Sequence, residues 1–224
     1  MQTKAKVAII GLGTIGRILA TNLTKGNRSV ILADRNVGKA KELSQKLGAL
    51  AQPMEISAAI KKADIIVLAI WFDAIKEILV TYASELQGKI IIDPSNPIAP
   101  DGKGGFVKKI GEKESAGEIL SAMLPKDAKL VKALGTLGAA SLEKAAFQSP
   151  ERAVLFYASI DRSSNQQVEE LIRDTGFDPL QIGGIEQSIR IEVFGDLHEF
   201  GALGKTVTMA QAGIKAYVKQ PLTN

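Results

Sequence analysis

The stretch "KVAIIGLGTIGRILATNL", residues 6–23, decides the fold of this 224-residue chain. Val7 to Ile10 form an unbroken apolar run, which predicts a short strand buried on both faces. Gly11, Gly13 and Gly16 follow in the spacing GxGxxG, and from Thr14 to about Lys25 the apolar positions recur at helical period. A glycine triplet alone is a weak signal. Here a strand precedes it, a helix follows it, and an acidic residue, Asp34, ends the next strand, so three contextual requirements of a dinucleotide cradle are met together. Gly11 permits the tight turn, Gly13 lets backbone approach a pyrophosphate, and Gly16 lets helix and strand pack closely. The free N–H groups and positive dipole of the helix start then face the phosphates.

Working outward, "SVILA" (29–33) reads as a second strand and "VGKAKELSQKL" (37–47) as a second helix. Residues 49–56 hold a short third strand, and Ser57 is placed as the cap of a helix running to Lys62. "DIIVLAI" (64–70) is the strongest strand, "DAIKEILVTYASEL" (73–86) the clearest amphipathic helix, and "KIIIDP" (89–94) a fifth strand. Alternating strands and helices predict an α/β fold with a doubly wound parallel sheet. A smaller C-terminal domain, α/β but mainly helical, is expected after it, with the division at residues 1–125 and 126–224. "DPSNPIAPDGKGGF" (93–106), with prolines at 94, 97 and 100, is expected to be irregular and functional. Beyond it, helices are predicted at 115–124, 140–147 and 165–176, the last closed by Gly176, with strands at 128–134 and 152–159. From Ser188 to the end the pattern reads as mainly helical, broken by glycines.

Hydrophobic residues at 46% and charged residues at 23% are ordinary globular usage. Absence of cysteine excludes a disulfide framework, a thiolate metal site and a cysteine nucleophile, and suits the cytoplasmic location expected here. The net charge of +4 is scattered rather than blocked, so no nucleic-acid partner is expected. No stretch approaches the roughly 20 apolar residues of a membrane span, and the N-terminal apolar run is too short for a signal peptide. Neither HExxH nor GxSxG occurs and no metal-ligand spacing is present, so metal and hydrolytic chemistry have no support.

Asp34 stands where an acid binds the ribose hydroxyls of NAD, yet Arg35 follows at once and Lys39 lies one turn further, where they suit the 2′-phosphate of NADP. The reading leans to NADP and keeps NAD open. "AIWF" (69–72) follows the strongest strand, at the ligand-facing edge of such a sheet, which places Ile70 and Trp71, the single tryptophan, beside a cofactor or in packing. "DPSNP" (93–97) ends the fifth strand, where Asn96 is a candidate for the nicotinamide carboxamide and Pro97 helps fix the loop. His198, the single histidine, is weighed as a general acid against the commoner structural role.

These segments resemble the coenzyme F420-dependent NADP oxidoreductases over nearly the whole chain. The resemblance rests on "KVAIIGLGTIG", "ADRNVGKA", "ADIIVLAIWFDAI", "DPSNPIAPDGKGGF", "SAGEILSAMLPKDAKLVKALGTL" and "EQSIRIEVFGDL". It implies an NAD(P)-binding Rossmann domain with a small C-terminal domain closing a cleft over the nicotinamide. By that similarity Leu12, Gly13, Thr14 and Ile15 wrap the phosphates, while position 34, Arg35 and Lys39 surround the ribose phosphate. Trp71, Ile75, Asn96 and Ala139 line the nicotinamide side, and Ser188 and Arg190 meet a deazaflavin. Pro97 and Gly135 fall on the same substrate side. Hydride would pass directly between stacked rings, coenzyme F420 or a flavin being the co-substrate, a step that depends chiefly on alignment. Two departures stand out: related proteins often carry serine or threonine at position 34, and histidine or asparagine at position 135. Imine or keto-acid reductases, for which Lys205 is the residue to test, and a non-catalytic NADP(H) sensor are the alternatives. A homodimer acting on a small-molecule acceptor is expected by analogy.

Overall fold

The computed structural model describes residues 4–217. Its frame is a six-stranded parallel sheet in the order β3-β2-β1-β4-β5-β8. Five of these strands come from the first half: β1 (Val7–Ile10), β2 (Val30–Ala33), β3 (Ala51–Pro53), β4 (Ile65–Leu68) and β5 (Ile90–Asp93). The intervening helices are α1 (Thr14–Lys25), α2 (Val37–Leu47), α3 (Ile56–Lys62) and α4 (Phe72–Thr81). Because side chains alternate along each strand, the sheet builds two cores. Val7, Ile9, Leu32, Val67 and Ile92 pack against α1 and α2 on one face. Ala8, Ile10, Ile31, Ile66 and Ile91 pack against α3 and α4 on the other. This double burial explains why the strands read as continuous apolar runs.

β1 lies between β2 and β4, so the chain leaves it in opposite directions and opens a crevice at the carboxyl ends of the strands. The glycine loop enters that crevice directly.

After β5, residues expected to be irregular form a short antiparallel hairpin, β6 (Ile98–Pro100) with β7 (Phe106–Lys108). Asp101 closes its turn by accepting the N–H groups of Lys103 and Gly105, and Gly102 and Gly104 take positive φ there. The prolines had masked this pairing, since proline is tolerated only on edge strands. α5 (Ala116–Ser121) follows, capped by Ser115, whose hydroxyl accepts the Glu118 N–H. β8 (Lys129–Lys132) completes the sheet beside β5, so the sheet draws its last strand from beyond residue 125. α6 (Ala139–Lys144), β9 (Val154–Tyr157), α7 (Arg162–Asp174) and β10 (Asp178–Gln181) come next. β9 and β10 pair in parallel around α7, and one antiparallel bridge, Lys132 to Ala158, joins them to β8. Leu155, Tyr157, Val168 and Leu171 share one core with β1. Gly176, at φ +91°, lies just beyond the end of α7.

Three expectations need correction. Ser57 does not cap α3: Glu55 occupies the cap position and makes no side-chain cap bond. β10 was missed because Pro179 interrupts it, which its edge position allows. The segment after Ser188 is a 3-10 turn at Ile185–Arg190 and a series of tight turns, with α8 (Met209–Tyr217) its one α-helix among the described residues. Residues 218–224 of that pattern lie outside the described residues. Among the described residues no helix is long and apolar enough to cross a membrane, and no cluster of His, Asp or Glu could hold a metal ion.

Candidate functional site

At the glycine loop Gly11 and Gly16 are each required by a neighbour, and Gly13 borders open space. Gly11 sits at φ +94°, and a Cβ there would lie 2.3 Å from Ile70 Cγ2 and 2.5 Å from the Ala69 carbonyl oxygen. The loop after β1 therefore rests on the loop after β4. A Cβ on Gly16 would lie 1.9 Å from the Gly11 carbonyl oxygen, so this glycine is required by the approach of α1 to its own strand. A Cβ on Gly13 would meet nothing within 4 Å. Open space beside the start of a 12-residue helix, whose first N–H groups lack partners within the helix, fits the pyrophosphate of a dinucleotide. Gly13 and Thr14 are exposed and Ile15 half-buried around it. Leu12 departs from expectation: its N–H donates to Asp34 Oδ2 at 2.9 Å and its side chain is buried, so it holds the loop down rather than facing outward.

Arg35 and Lys39 are exposed at the start of α2, which has no acidic residue in its first turn. Asn36 caps the helix by accepting the Gly38 N–H. These cations and the helix start suit a 2′-phosphate.

The other end of the crevice is more closed. Trp71 is 61% exposed at the mouth, and Ile70 is half-buried beneath it. Ile75, expected to line the nicotinamide, is instead fully buried in the core under α4, because it lies one turn inside the helix on its sheet-facing side. Asn96 has both ends of its amide engaged: Oδ1 accepts the Val193 N–H at 2.7 Å and Nδ2 donates to the Gly135 carbonyl at 3.4 Å. Pro97 is buried and its carbonyl accepts the Lys109 N–H. A Cβ on Gly135 would lie 2.3 Å from the Pro94 carbonyl oxygen, so position 135 has no room for the histidine or asparagine of related proteins. Ala139, half-buried, opens α6.

His198 is buried with both nitrogens used. The Phe200 N–H donates to Nδ1 at 3.0 Å, which leaves the proton on Nε2 to donate to the Gly135 carbonyl at 3.1 Å. Burial pushes its pKa down to about 4, so the ring is neutral near pH 7 and braces the turn. Ser188 is fully buried: its hydroxyl donates to the Ile185 carbonyl, and a Cβ on Gly117 would run into it. It faces α5 rather than a ligand. Arg190 pairs with Asp196 at 2.8 Å. Lys205 is exposed in the turn before α8.

Sequence reasoning missed the polar framework under this end. Lys132 on β8, buried, donates to Asp93 Oδ2 at 2.7 Å and to the Ser95 carbonyl, while the Ser95 N–H donates to Asp93 Oδ1. A lysine inside the apolar run "KLVKAL" was the available signal. Glu192 is buried and accepts the N–H groups of Ala116 and Gly117 at 3.0 and 2.9 Å. Glu199 accepts the Gly138 N–H at 2.6 Å and the Ser141 hydroxyl. Together with Asn96, these fasten residues 191–201 to the main sheet and its helices. Phe194 and Phe200 project from that segment, both more than half exposed.

Fold and crevice are those of a Rossmann-type dinucleotide-binding protein, and comparison with known proteins places it among NAD(P)-dependent oxidoreductases. Residues 6–97, which hold the glycine loop and β1 to β5, match the family described as NADP oxidoreductase, coenzyme F420-dependent, and that segment of the chain belongs to it. A hypothetical protein of Sinorhizobium meliloti is 31% identical, with 91% of this chain and 95% of that one covered and a TM-score of 0.79. The metalloreductase STEAP3 of Rattus norvegicus is 28% identical over 187 residues, 84% of this chain, which spans only 36% of that relative's length. A reductive aminase from Aspergillus terreus, in complex with NADPH and ethyl levulinate, shares the fold at 21% identity and a TM-score of 0.59, over 84% of this chain and 57% of that one.

Proposed function

We propose that the protein transfers a hydride between NADP(H) and a flavin-like acceptor, with coenzyme F420 as the acceptor to test first. The observation that carries this reading is His198. It is neutral near pH 7 and its one ring proton, on Nε2, is held by the Gly135 carbonyl, so it does not serve as a general acid and a transfer that needs none fits this end of the crevice. Direct transfer between stacked rings asks for alignment and exclusion of water, and a solvent proton completes the reduced acceptor. Bound NADPH would supply the hydride from its nicotinamide C4. Gly13, Thr14 and Ile15 would hold its phosphates, Arg35 and Lys39 its 2′-phosphate, and Ala139 with Trp71 its nicotinamide side. Trp71, Phe194 and Phe200 offer flat apolar surface for a conjugated acceptor ring. The family assignment supports the same acceptor.

The reading includes a cytoplasmic homodimer, with residues 126–224 closing the cleft over residues 1–125 from beyond β8, the strand they lend to the main sheet. A second reading, an imine or keto-acid reductase, draws on the shared fold of the reductive aminase and on the exposed Lys205 as proton donor. The test offers NADPH and NADH separately with coenzyme F420, FMN and a small cyclic imine, with cofactor affinity measured alongside. Rapid oxidation of NADPH by F420 alone is the expected result. Turnover of the imine that is lost in Lys205→Ala would establish the second reading instead. Tight NADPH binding with no acceptor turned over would point to a sensor.

A further inference from the structure

Asp34 sits where an acid conventionally reads the ribose of NAD, and its bonds point elsewhere. It ends β2 at 8% exposure. Oδ2 accepts the Leu12 N–H and Oδ1 accepts the Asn36 N–H, both at 2.9 Å. The two donors belong to the two segments a dinucleotide must touch, the glycine loop and the start of α2. Next to it, the Gly11 N–H donates to the Ala33 carbonyl at 2.9 Å, so the end of β2 holds two successive residues of the glycine loop. On the outer side of the same turn, Arg35 and Lys39 are exposed and form no ion pair among the described residues. The acid is turned inward onto N–H donors while the bases beside it face solvent.

We infer that Asp34 is a positioning residue: its carboxylate ties the glycine loop to the start of α2 and sets the spacing between the pyrophosphate and 2′-phosphate sites, and it does not select NAD over NADP. The inference rests on the NADP(H) reading above. A carboxylate presented to the ribose would repel a 2′-phosphate. One whose oxygens each accept a backbone N–H has its charge partly answered and leaves Arg35 and Lys39 to decide the preference.

Calorimetric titration of wild type and Asp34→Asn with NADPH and with NADH tests this, with thermal melting of the free proteins alongside. An asparagine amide has one acceptor oxygen and so keeps only one of the two N–H bonds. Both affinities are expected to fall about tenfold while their ratio stays within about threefold, the loss of one charge-assisted bond being shared by both ligands. Tighter NADPH with weaker NADH would mean that Asp34 reads the ribose and overturns the inference. Unchanged affinities with a lowered melting temperature would reduce Asp34 to a purely structural role and overturn it as well. Wild-type protein that binds neither dinucleotide would refute the functional reading and the inference together. Should Asp34→Asn not fold, amide hydrogen exchange in free wild-type protein decides: slow exchange at both Leu12 and Asn36 supports the tie, and fast exchange at either refutes it.

Discussion

The two ends of the crevice are built on opposite plans. At the phosphate end the chain leaves its polar groups available: Gly13 borders open space, the first N–H groups of α1 are unspent, and Arg35 and Lys39 face solvent. At the other end most charged and amide side chains are already spent on the protein: Asn96, His198, Glu192, Glu199 and the Asp93–Lys132 pair all hold backbone or each other, while the buried Ser95 and Thr136 hydroxyls have no partner. The first end offers positive charge and free backbone donors. The second is a brace that shapes a surface and offers aromatic rings. Substitutions at the phosphate end should therefore change affinity with little effect on folding, and substitutions at the acceptor end should do the reverse.

The largest break in that contrast would come from Lys132→Ala. It strands the fully buried Asp93 carboxylate, and a loss of about 3–5 kcal/mol is expected in chemical denaturation. Replacing both partners, as in Asp93→Leu with Lys132→Met, is expected to recover only part of that loss, because the buried Ser95 N–H and carbonyl lose their partners as well. His198 gives the next effect. Its folded pKa of about 4 lies below the ordinary 6.5, so unfolding takes up a proton between those values. Its contribution is complete above about pH 6.5 and is lost as pH falls towards 4, on the order of 3 kcal/mol in all. Denaturation across that range should show the slope in wild type and a flatter profile in His198→Gln.

Gly13→Ala sharpens the contrast from the other side. Its Cβ meets no protein atom within 4 Å, so the melting temperature should hold while dinucleotide affinity falls about tenfold or more, because the methyl fills the approach of the pyrophosphate. Gly16→Ala is the control: its Cβ collides with the Gly11 carbonyl, and about 1–3 kcal/mol of stability should go with the affinity. The smallest effect is expected for Arg35→Ala. NADPH affinity should fall about tenfold with NADH affinity unchanged in the same titration, the size of one charged hydrogen bond. Equal losses for both ligands would remove Arg35 from the 2′-phosphate site.

How much of this was legible in the sequence follows the same divide. The elements around the glycine loop were readable to within a residue or two: α1 and α2 begin and end at the residues where their patterns do. Apolar period and glycine spacing are local signals, and the fold of this half is a sum of them. The hairpin at 98–108 and β10 were hidden because Pro97, Pro100 and Pro179 count against a strand wherever its edge position is not known. Ser188 and Ile75 are assigned to a ligand by the family resemblance, and only packing shows which way they face.

The sequence by itself determined the doubly wound sheet, the crevice beside β1 and the glycine cradle, because apolar runs, helical period and glycine spacing are local signals, and alternating strands and helices leave a parallel sheet as their arrangement. Tertiary structure alone decided what the polar residues of the crevice do. Asp34 reaches Leu12, Lys132 reaches Asp93, and Glu192 reaches Ala116 from 22, 39 and 76 positions away along the chain. A carboxylate, lysine or histidine becomes a ligand group or a brace according to which N–H, carbonyl or charge the folded chain brings within hydrogen-bond reach, and no local pattern carries that information.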